Sequence, residues 1–126
     1  ALDRQLVSLF KSHQVDVVVM AGWMRIVTDV LVKAFPERLV NIHPSLLPSF
    51  RGLDAVGQAL KAGVSISGCT VHIVTTELDA GPILAQAAVP VFGTDNHDSL
   101  AKRVQQQEHV LLPATLQQNA HRWRQG

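Results

Sequence analysis

Apolar residues recur along the first part of the chain with helical spacing and then as a continuous run. The helical spacing relates four apolar residues near the start: Leu2, Leu6, Leu9 and Phe10. Residues 16–21 follow as an apolar, β-branched run, which is typical of a strand buried on both faces. The pattern therefore predicts a helix that leads into a central strand.

Capping and breaking residues divide the rest of the chain into further elements. The pattern predicts two helices, over 30–35 and 54–62, and three β-rich runs, over 39–42, 67–74 and 83–91. Thr28 and Asp29 can cap the first of these helices, and Gly63 suits the end of the second. Helices that alternate with strands indicate one α/β unit over residues 1–126, with a mostly parallel, mixed sheet flanked by helices.

The last predicted helix begins near Asp95 or Asn96 and carries an apolar face. Leu100 and Val104 belong to that face, and Pro113 is expected to kink or end the helix because proline removes a backbone donor. Residues 117–126 are polar, and we expect them to be frayed.

Composition narrows the class of protein. With 47% hydrophobic and 17% charged residues among 126, the chain can form one compact core. A net charge of +1 and only two Trp and four Phe provide no basic or stacking surface, so we expect no nucleic-acid partner. The single Cys69 suits the cytosol, or an organelle after processing, and no apolar run approaches the roughly 20 residues that span a membrane.

The most informative motif is Asn-Ile-His before Pro-Ser-Leu-Leu-Pro. If this motif ends a strand, Asn41 and His43 project from the same face, and an amide and an imidazole converge on one substrate atom. Pro44 keeps the preceding residue extended, so the pair lies where a strand opens into a loop. The alternative is that both side chains merely cap local backbone groups.

Five motifs together resemble phosphoribosylglycinamide formyltransferase, an enzyme of purine synthesis. They are Ala-Gly-Trp-Met-Arg-Ile (21–26), Asn-Ile-His-Pro-Ser-Leu-Leu-Pro (41–48), Gly-Cys-Thr-Val-His-Ile-Val (68–74), Leu-Asp-Ala-Gly-Pro-Ile (78–83) and Val-Gln-Gln-Gln-Glu-His (104–109). The resemblance implies formyl transfer from 10-formyltetrahydrofolate, as cosubstrate, to the amine of glycinamide ribonucleotide, without a metal.

The resemblance also implies roles for individual residues. Three of them would be catalytic: Asn41, His43 and Asp79. The folate would lie against Asn41 and a segment that follows the central strand: Met24, Arg25, Ile26 and Val27. Gln105 and Glu108 would bind the nucleotide substrate, and His72 aligns with a histidine near the family's active site. For Asp79 and His72 the alternatives are a turn residue and a hydrogen-bonded core histidine.

These residue types suit acyl transfer. When the amine attacks the formyl carbon, donors placed around the new oxyanion are worth roughly 3–4 kcal/mol each. The Asn41 amide is a neutral donor, His43 is a charged one when protonated, and a nearby carboxylate such as Asp79 favours that form. Asp79 can also organise a water that carries the proton from the amine to the folate nitrogen.

No motif in residues 1–20 matches the glycine-rich loop that binds the nucleotide phosphate in the resembled family. We therefore expect the chain to be the back portion of a larger enzyme, with the folate side and the catalytic triad but without the nucleotide-phosphate half. On this hypothesis the isolated chain has little activity.

Four alternatives remain open at this point. Formyltetrahydrofolate deformylase uses the same three residues with water as acceptor, although its loop usually has His where Pro44 stands here. Methionyl-tRNA formyltransferase shares the core but adds a tRNA-binding domain. A metal-binding module could use His43, His72 and Asp79, whose spacing H-x28-H-x6-D contains no close ligand pair. The last alternative is a non-catalytic folate-binding fragment.

Overall fold

The computed structural model describes residues 18–19, 29–34, 37–77 and 79–124. Seven elements follow in chain order: β1 (Val18–Val19), α1 (Asp29–Ala34), β2 (Leu39–His43), α2 (Ala55–Ala62), β3 (Ile66–Ile73), β4 (Ile83–Pro90) and α3 (His97–Arg124). They match the predicted order of elements. The helix predicted around residues 2–10 and most of the strand predicted over 16–21 lie outside the described residues.

The four described strands form one sheet in the order β1-β2-β3-β4. β1 pairs with β2 in parallel, whereas the β2–β3 and β3–β4 pairs are antiparallel. The prediction of a mixed sheet with helices is confirmed, but within the described strands the prediction of mostly parallel pairing is wrong. For the β3–β4 pair the physical reason is a connection without a described crossover helix, because such a connection joins antiparallel strands. The β2–β3 pair is antiparallel although α2 lies between its strands.

Strand alternation gives the sheet two different faces. On the face that packs against α3, β2 and β3 contribute buried apolar residues to the main core: Val40, Ile42, Cys69, Val71 and Ile73. The opposite face, which we call the loop face, carries polar residues from the intervening positions: Asn41, His43, Thr70 and His72. The apolar face therefore supplies packing energy, and the loop face is available for chemistry.

Residues 44–53, which we call the β2–α2 loop, leave the sheet directly after His43. The loop contains a cis peptide between Leu47 and Pro48. It ends at Asp54, whose side chain accepts a hydrogen bond from the Gly57 amide and caps α2. Gly63 closes α2 in the left-handed conformation, as its position predicted.

Helix α3 runs through Pro113 and continues to Arg124, so the prediction that the helix ends at Pro113 is wrong, as is the fraying expected over residues 117–124. Proline removes one hydrogen bond within the helix, but contacts with the rest of the protein hold the segment beyond it. The Trp123 indole is 4% exposed and donates to the Glu37 carbonyl at 2.8 Å. Arg38 in turn donates to the Trp123 carbonyl at 2.8 Å. None of the described helices has both the length and the apolar character that a membrane crossing requires.

Candidate active site

Four polar side chains converge at one end of the loop face. Asn41 and His43 come from β2, His72 from β3, and Asp79 from the turn between β3 and β4. The antiparallel register places Asn41 directly opposite His72. Asn41, His43 and His72 are all buried, and the Asp79 side chain is 7% exposed. The structure therefore brings together all three residues predicted to be catalytic and adds His72.

The His43 ring lies between two oxygen acceptors. Nε2 is 2.9 Å from the Phe50 carbonyl oxygen, and Nδ1 is 3.5 Å from Asp79 Oδ2. Because a neutral imidazole has only one N–H, the doubly protonated ring is the form that donates at both nitrogens. The longer contact at Nδ1 leaves that N–H the more available for a substrate oxygen.

Asp79 is held by the backbone around it. Its residue has a φ of 49°, in the left-handed region that Asp tolerates better than most residues. Oδ2 accepts a hydrogen bond of 2.8 Å from the Gly52 amide, and Oδ1 is 3.9 Å from His72 Nε2. The turn lies tightly against β3, since a Cβ at Gly81 would collide with the Ile73 carbonyl. Asp79 is thus both a turn residue and a member of the cluster.

Two buried polar atoms of the cluster lack a hydrogen-bond partner within the described part of the chain. They are Asn41 Oδ1 and His72 Nε2, which belong to residues paired across β2 and β3. Buried polar atoms are nearly always paired in folded proteins, so a pair without partners on one face indicates a place for a ligand or water.

Burial lowers the pKa of His72, and the nearby charge of Asp79 and the Ile73 carbonyl oppose that shift only in part. His72 is 2% exposed, and its Nδ1 is 3.3 Å from the Ile73 carbonyl oxygen. Nε2 of a neutral His72 donates or accepts a hydrogen bond according to the tautomer of the ring. His72 therefore differs from His43, whose two ring nitrogens both face oxygen atoms.

Gln105 and Glu108 lie on α3 and are not brought next to the triad. Gln105 is exposed, whereas Glu108 is half-buried. Burial raises the pKa of Glu108, and its charge contributes, after burial, to raising the pKa of Cys69 to about 11. Cys69 belongs to the core on the α3 face of the sheet. The predicted folate-contacting segment, residues 24–27, lies outside the described residues.

The metal hypothesis finds no support in this geometry. His43, His72 and Asp79 are neighbours, as that hypothesis needs. However, residues 18–19, 29–34, 37–77 and 79–124 contain no group of three or more His, Cys, Asp and Glu side chains that could hold a metal ion.

Several residues that support the cluster were not predicted from the sequence. Thr70, Gln86 and the backbone of Phe50 and Gly52 all make hydrogen bonds that hold the triad or its loop. One available signal was Gln86, the single polar side chain in the apolar run Ile83–Pro90. The Phe50 carbonyl and the Gly52 amide leave no signal in the sequence, because these are backbone groups that almost every residue has.

Comparison with known proteins places this arrangement in a family. A family model described as formyl transferase matches residues 1–116. The chain belongs to the formyl transferase family. The family expected from the five motifs is therefore confirmed.

The formyl transferase chain is similar to several longer proteins. The phosphoribosylglycinamide formyltransferase of Escherichia coli (strain K12) is 47% identical over 116 residues, which cover 92% of this chain and 55% of that protein. Glycinamide ribonucleotide transformylase 1 from Symbiobacterium toebii is 47% identical with a TM-score of 0.90, covering 92% of this chain and 55% of that one. A formyltetrahydrofolate deformylase from Pseudomonas syringae pv. tomato is 38% identical with a TM-score of 0.84, covering 90% and 38%. The chain thus spans little more than half of the transferases it resembles.

The lowered pKa of His72 predicts a specific pH dependence of stability. The histidine of the unfolded chain binds a proton at its ordinary pKa of 6.5, whereas the folded one stays neutral to lower pH. As the pH falls below 6.5, the free energy of unfolding should therefore decrease. His72→Asn keeps a donor near the Nδ1 position without a titrating ring, and urea unfolding between neutral and mildly acidic pH should give a shallower slope for it. An unchanged slope would contradict the assignment.

Proposed function

We propose that this formyl transferase chain moves a formyl group from 10-formyltetrahydrofolate to the amine of phosphoribosylglycinamide, a step of purine synthesis in the cytosol. The observation that carries the proposal is the buried cluster of Asn41, His43 and Asp79, in which Asn41 Oδ1 lacks a partner within the described residues. Two similar proteins are named for this reaction.

The first step is attack of the substrate amine on the formyl carbon. The Asn41 side chain can accept an N–H of that amine through Oδ1 and donate to the formyl oxygen through its amide nitrogen. The His43 Nδ1–H, which is only loosely bound to Asp79 at 3.5 Å, turns to the same oxygen as it becomes an oxyanion. No acyl-enzyme is needed, because the amine itself is the nucleophile.

The second step moves a proton from the attacking nitrogen to the folate nitrogen as the C–N bond to the folate breaks. Asp79 Oδ1 has no contact closer than the 3.9 Å to His72 among those described, so it can hold a water that relays the proton. The Gly52 amide keeps Oδ2 in place meanwhile. Asp79 thus stabilises His43 through one oxygen and organises the relay through the other.

Binding of the two substrates completes the proposal. The segment Met24, Arg25, Ile26 and Val27 would contact the folate together with Asn41. Gln105 and Glu108 would contact the nucleotide, with Glu108 at the ribose hydroxyls. The phosphate would bind to a further part of the enzyme that corresponds to the length of the relatives that this chain does not cover.

A deformylase is the second candidate function, favoured by the similarity to the Pseudomonas syringae protein at a TM-score of 0.84. In that reaction water replaces the amine at the same carbon. Pro44 favours transfer, because the deformylase loop usually carries His there.

We expect alanine at any of the three triad positions to slow formyl transfer. In an active enzyme that contains this chain, Asn41→Ala, His43→Ala and Asp79→Ala should each lower kcat by about 10²-fold or more, because each removes a group that acts on the developing charge. Folate affinity, measured by fluorescence titration, should change far less. The matched control is His97→Ala, an exposed histidine on α3 that contacts Asp54. More than about a tenth of the activity left in His43→Ala would contradict its role.

The acceptor is tested by supplying the donor with and without the amine. If the chain transfers formyl groups, tetrahydrofolate release from 10-formyltetrahydrofolate should be slow alone and should accelerate strongly when glycinamide ribonucleotide is added. The formylated ribonucleotide is then quantified by mass spectrometry. Equal rates under both conditions, with formate as the product, would show a deformylase instead.

A further inference from the structure

We propose that Thr70 and Gln86 are positioning residues, which fix the β2–α2 loop so that its Phe50 carbonyl and Gly52 amide hold His43 and Asp79 in their working geometry. Thr70 lies opposite His43 across β2 and β3, but neither Thr70 nor Gln86 has a described hydrogen bond to His43 or Asp79. Both act through the loop. This positioning role depends on the proposed formyl transfer only in the measurement of kcat, since the structural measurements below do not need the reaction.

Thr70 is at the centre of a buried hydrogen-bond network. Its hydroxyl donates to the Ser45 carbonyl at 2.7 Å and accepts from the Leu47 amide at 3.0 Å and from Gln86 Nε2 at 3.1 Å. A hydroxyl has one donor and two acceptor sites, so all three are used. Thr70 is 0% exposed, so bulk solvent does not compete for these bonds.

Gln86 reaches the same loop from β4, where it is paired with Thr70 across the strands. Its Nε2 also donates to the Leu47 carbonyl at 2.9 Å. Both backbone polar groups of Leu47 are therefore bound by side chains of the sheet rather than by other backbone groups. Leu47 is 5% exposed, so these groups would lose their partners without gaining water if Thr70 or Gln86 were removed.

The fixed part of the loop continues directly to the triad. Ser45 Oγ donates to the Ser49 carbonyl, and the next residue, Phe50, provides the carbonyl that His43 Nε2 faces at 2.9 Å. Phe50 has a φ of 56°, a left-handed conformation that is unfavourable for a bulky residue and persists only where neighbours impose it. The bonds to Thr70 and Gln86 are such constraints. Two residues further on, the Gly52 amide binds Asp79 Oδ2 at 2.8 Å.

Thr70→Val separates the hydroxyl from the shape of the side chain, since valine keeps the branched volume. It leaves the Ser45 carbonyl and the Leu47 amide without their partner, so the loop must move to satisfy them. Thr70→Ser keeps the hydroxyl and should rescue the parent behaviour. Thr115→Val is the matched control, because Thr115 is 1% exposed and its hydroxyl bonds only to the Leu111 carbonyl within α3 among the described contacts.

The experiment combines a structural and a kinetic measurement on an active enzyme that contains this chain. Proton–nitrogen NMR of the histidine rings reports on His43, and hydrogen exchange reports on the Leu47 amide. In Thr70→Val we expect altered His43 ring signals, faster Leu47 exchange, and a kcat lowered roughly tenfold to a hundredfold, because small misplacement of catalytic groups costs this much. The KM for the folate should change little. Thr70→Ser and Thr115→Val should both retain the parent signals and kcat.

Gln86→Leu is the second variant, for the case that Thr70→Val does not fold. Gln86 is an exposed residue on β4, the edge strand of the described sheet, so we expect its substitution to disturb folding less. It should show the same changes to a smaller degree. Unchanged His43 signals and kcat in a folded Thr70→Val or Gln86→Leu enzyme would overturn the positioning role. Failure of the parent enzyme to transfer formyl groups would instead overturn the proposed function, and the NMR and exchange results would still decide the positioning.

Discussion

The arrangement of this site depends on the His43 ring being held between the Phe50 carbonyl at 2.9 Å and the Asp79 carboxylate at 3.5 Å. The oxygen atoms that face both ring nitrogens fix the orientation of the imidazole. Each oxygen is held by backbone that has an unusual conformation, with φ of 56° at Phe50 and 49° at Asp79. The orientation of the His43 ring is thus a product of the loop and turn around it.

The antiparallel register brings these parts together. Asn41 is opposite His72, and His43 is opposite Thr70. One face of two adjacent strands therefore carries two residues of the triad, a second histidine, and the threonine that binds the β2–α2 loop. The other face carries Val40, Ile42, Cys69, Val71 and Ile73, which pack in the core with α3. A shift of one residue in this register would move every polar group of the site into the apolar core. The alternation of apolar and polar residues in the strands therefore fixes their register, and the register fixes the positions of the side chains in the site.

The sequence predicted the elements and the triad because these leave local or motif-level signals. Alternation in Leu39–His43 places Asn41 and His43 on one face, and the motif match connects them with Asp79. Strand direction was harder, because apolar runs look alike whether their neighbours are parallel or antiparallel. The helix does not end at Pro113, because contacts of Trp123 with distant backbone outweigh one lost helix hydrogen bond. The groups that hold the β2–α2 loop and the triad could not be predicted, because they are the backbone of Phe50 and Gly52 and the cross-strand pair of Thr70 and Gln86. Their contacts exist only in the folded chain.

A crystal structure of an enzyme that contains this chain, bound to glycinamide ribonucleotide and a folate analogue that cannot transfer its carbonyl group, tests the central claim most directly. The account predicts the carbonyl oxygen of the analogue within about 3 Å of the Asn41 amide and of His43 Nδ1, which are hydrogen-bond distances. The substrate amine should lie beside Asn41 Oδ1, with the Phe50 and Gly52 bonds retained. An analogue bound elsewhere, with Asn41 and His43 in contact with neither the folate nor the nucleotide, would contradict the account.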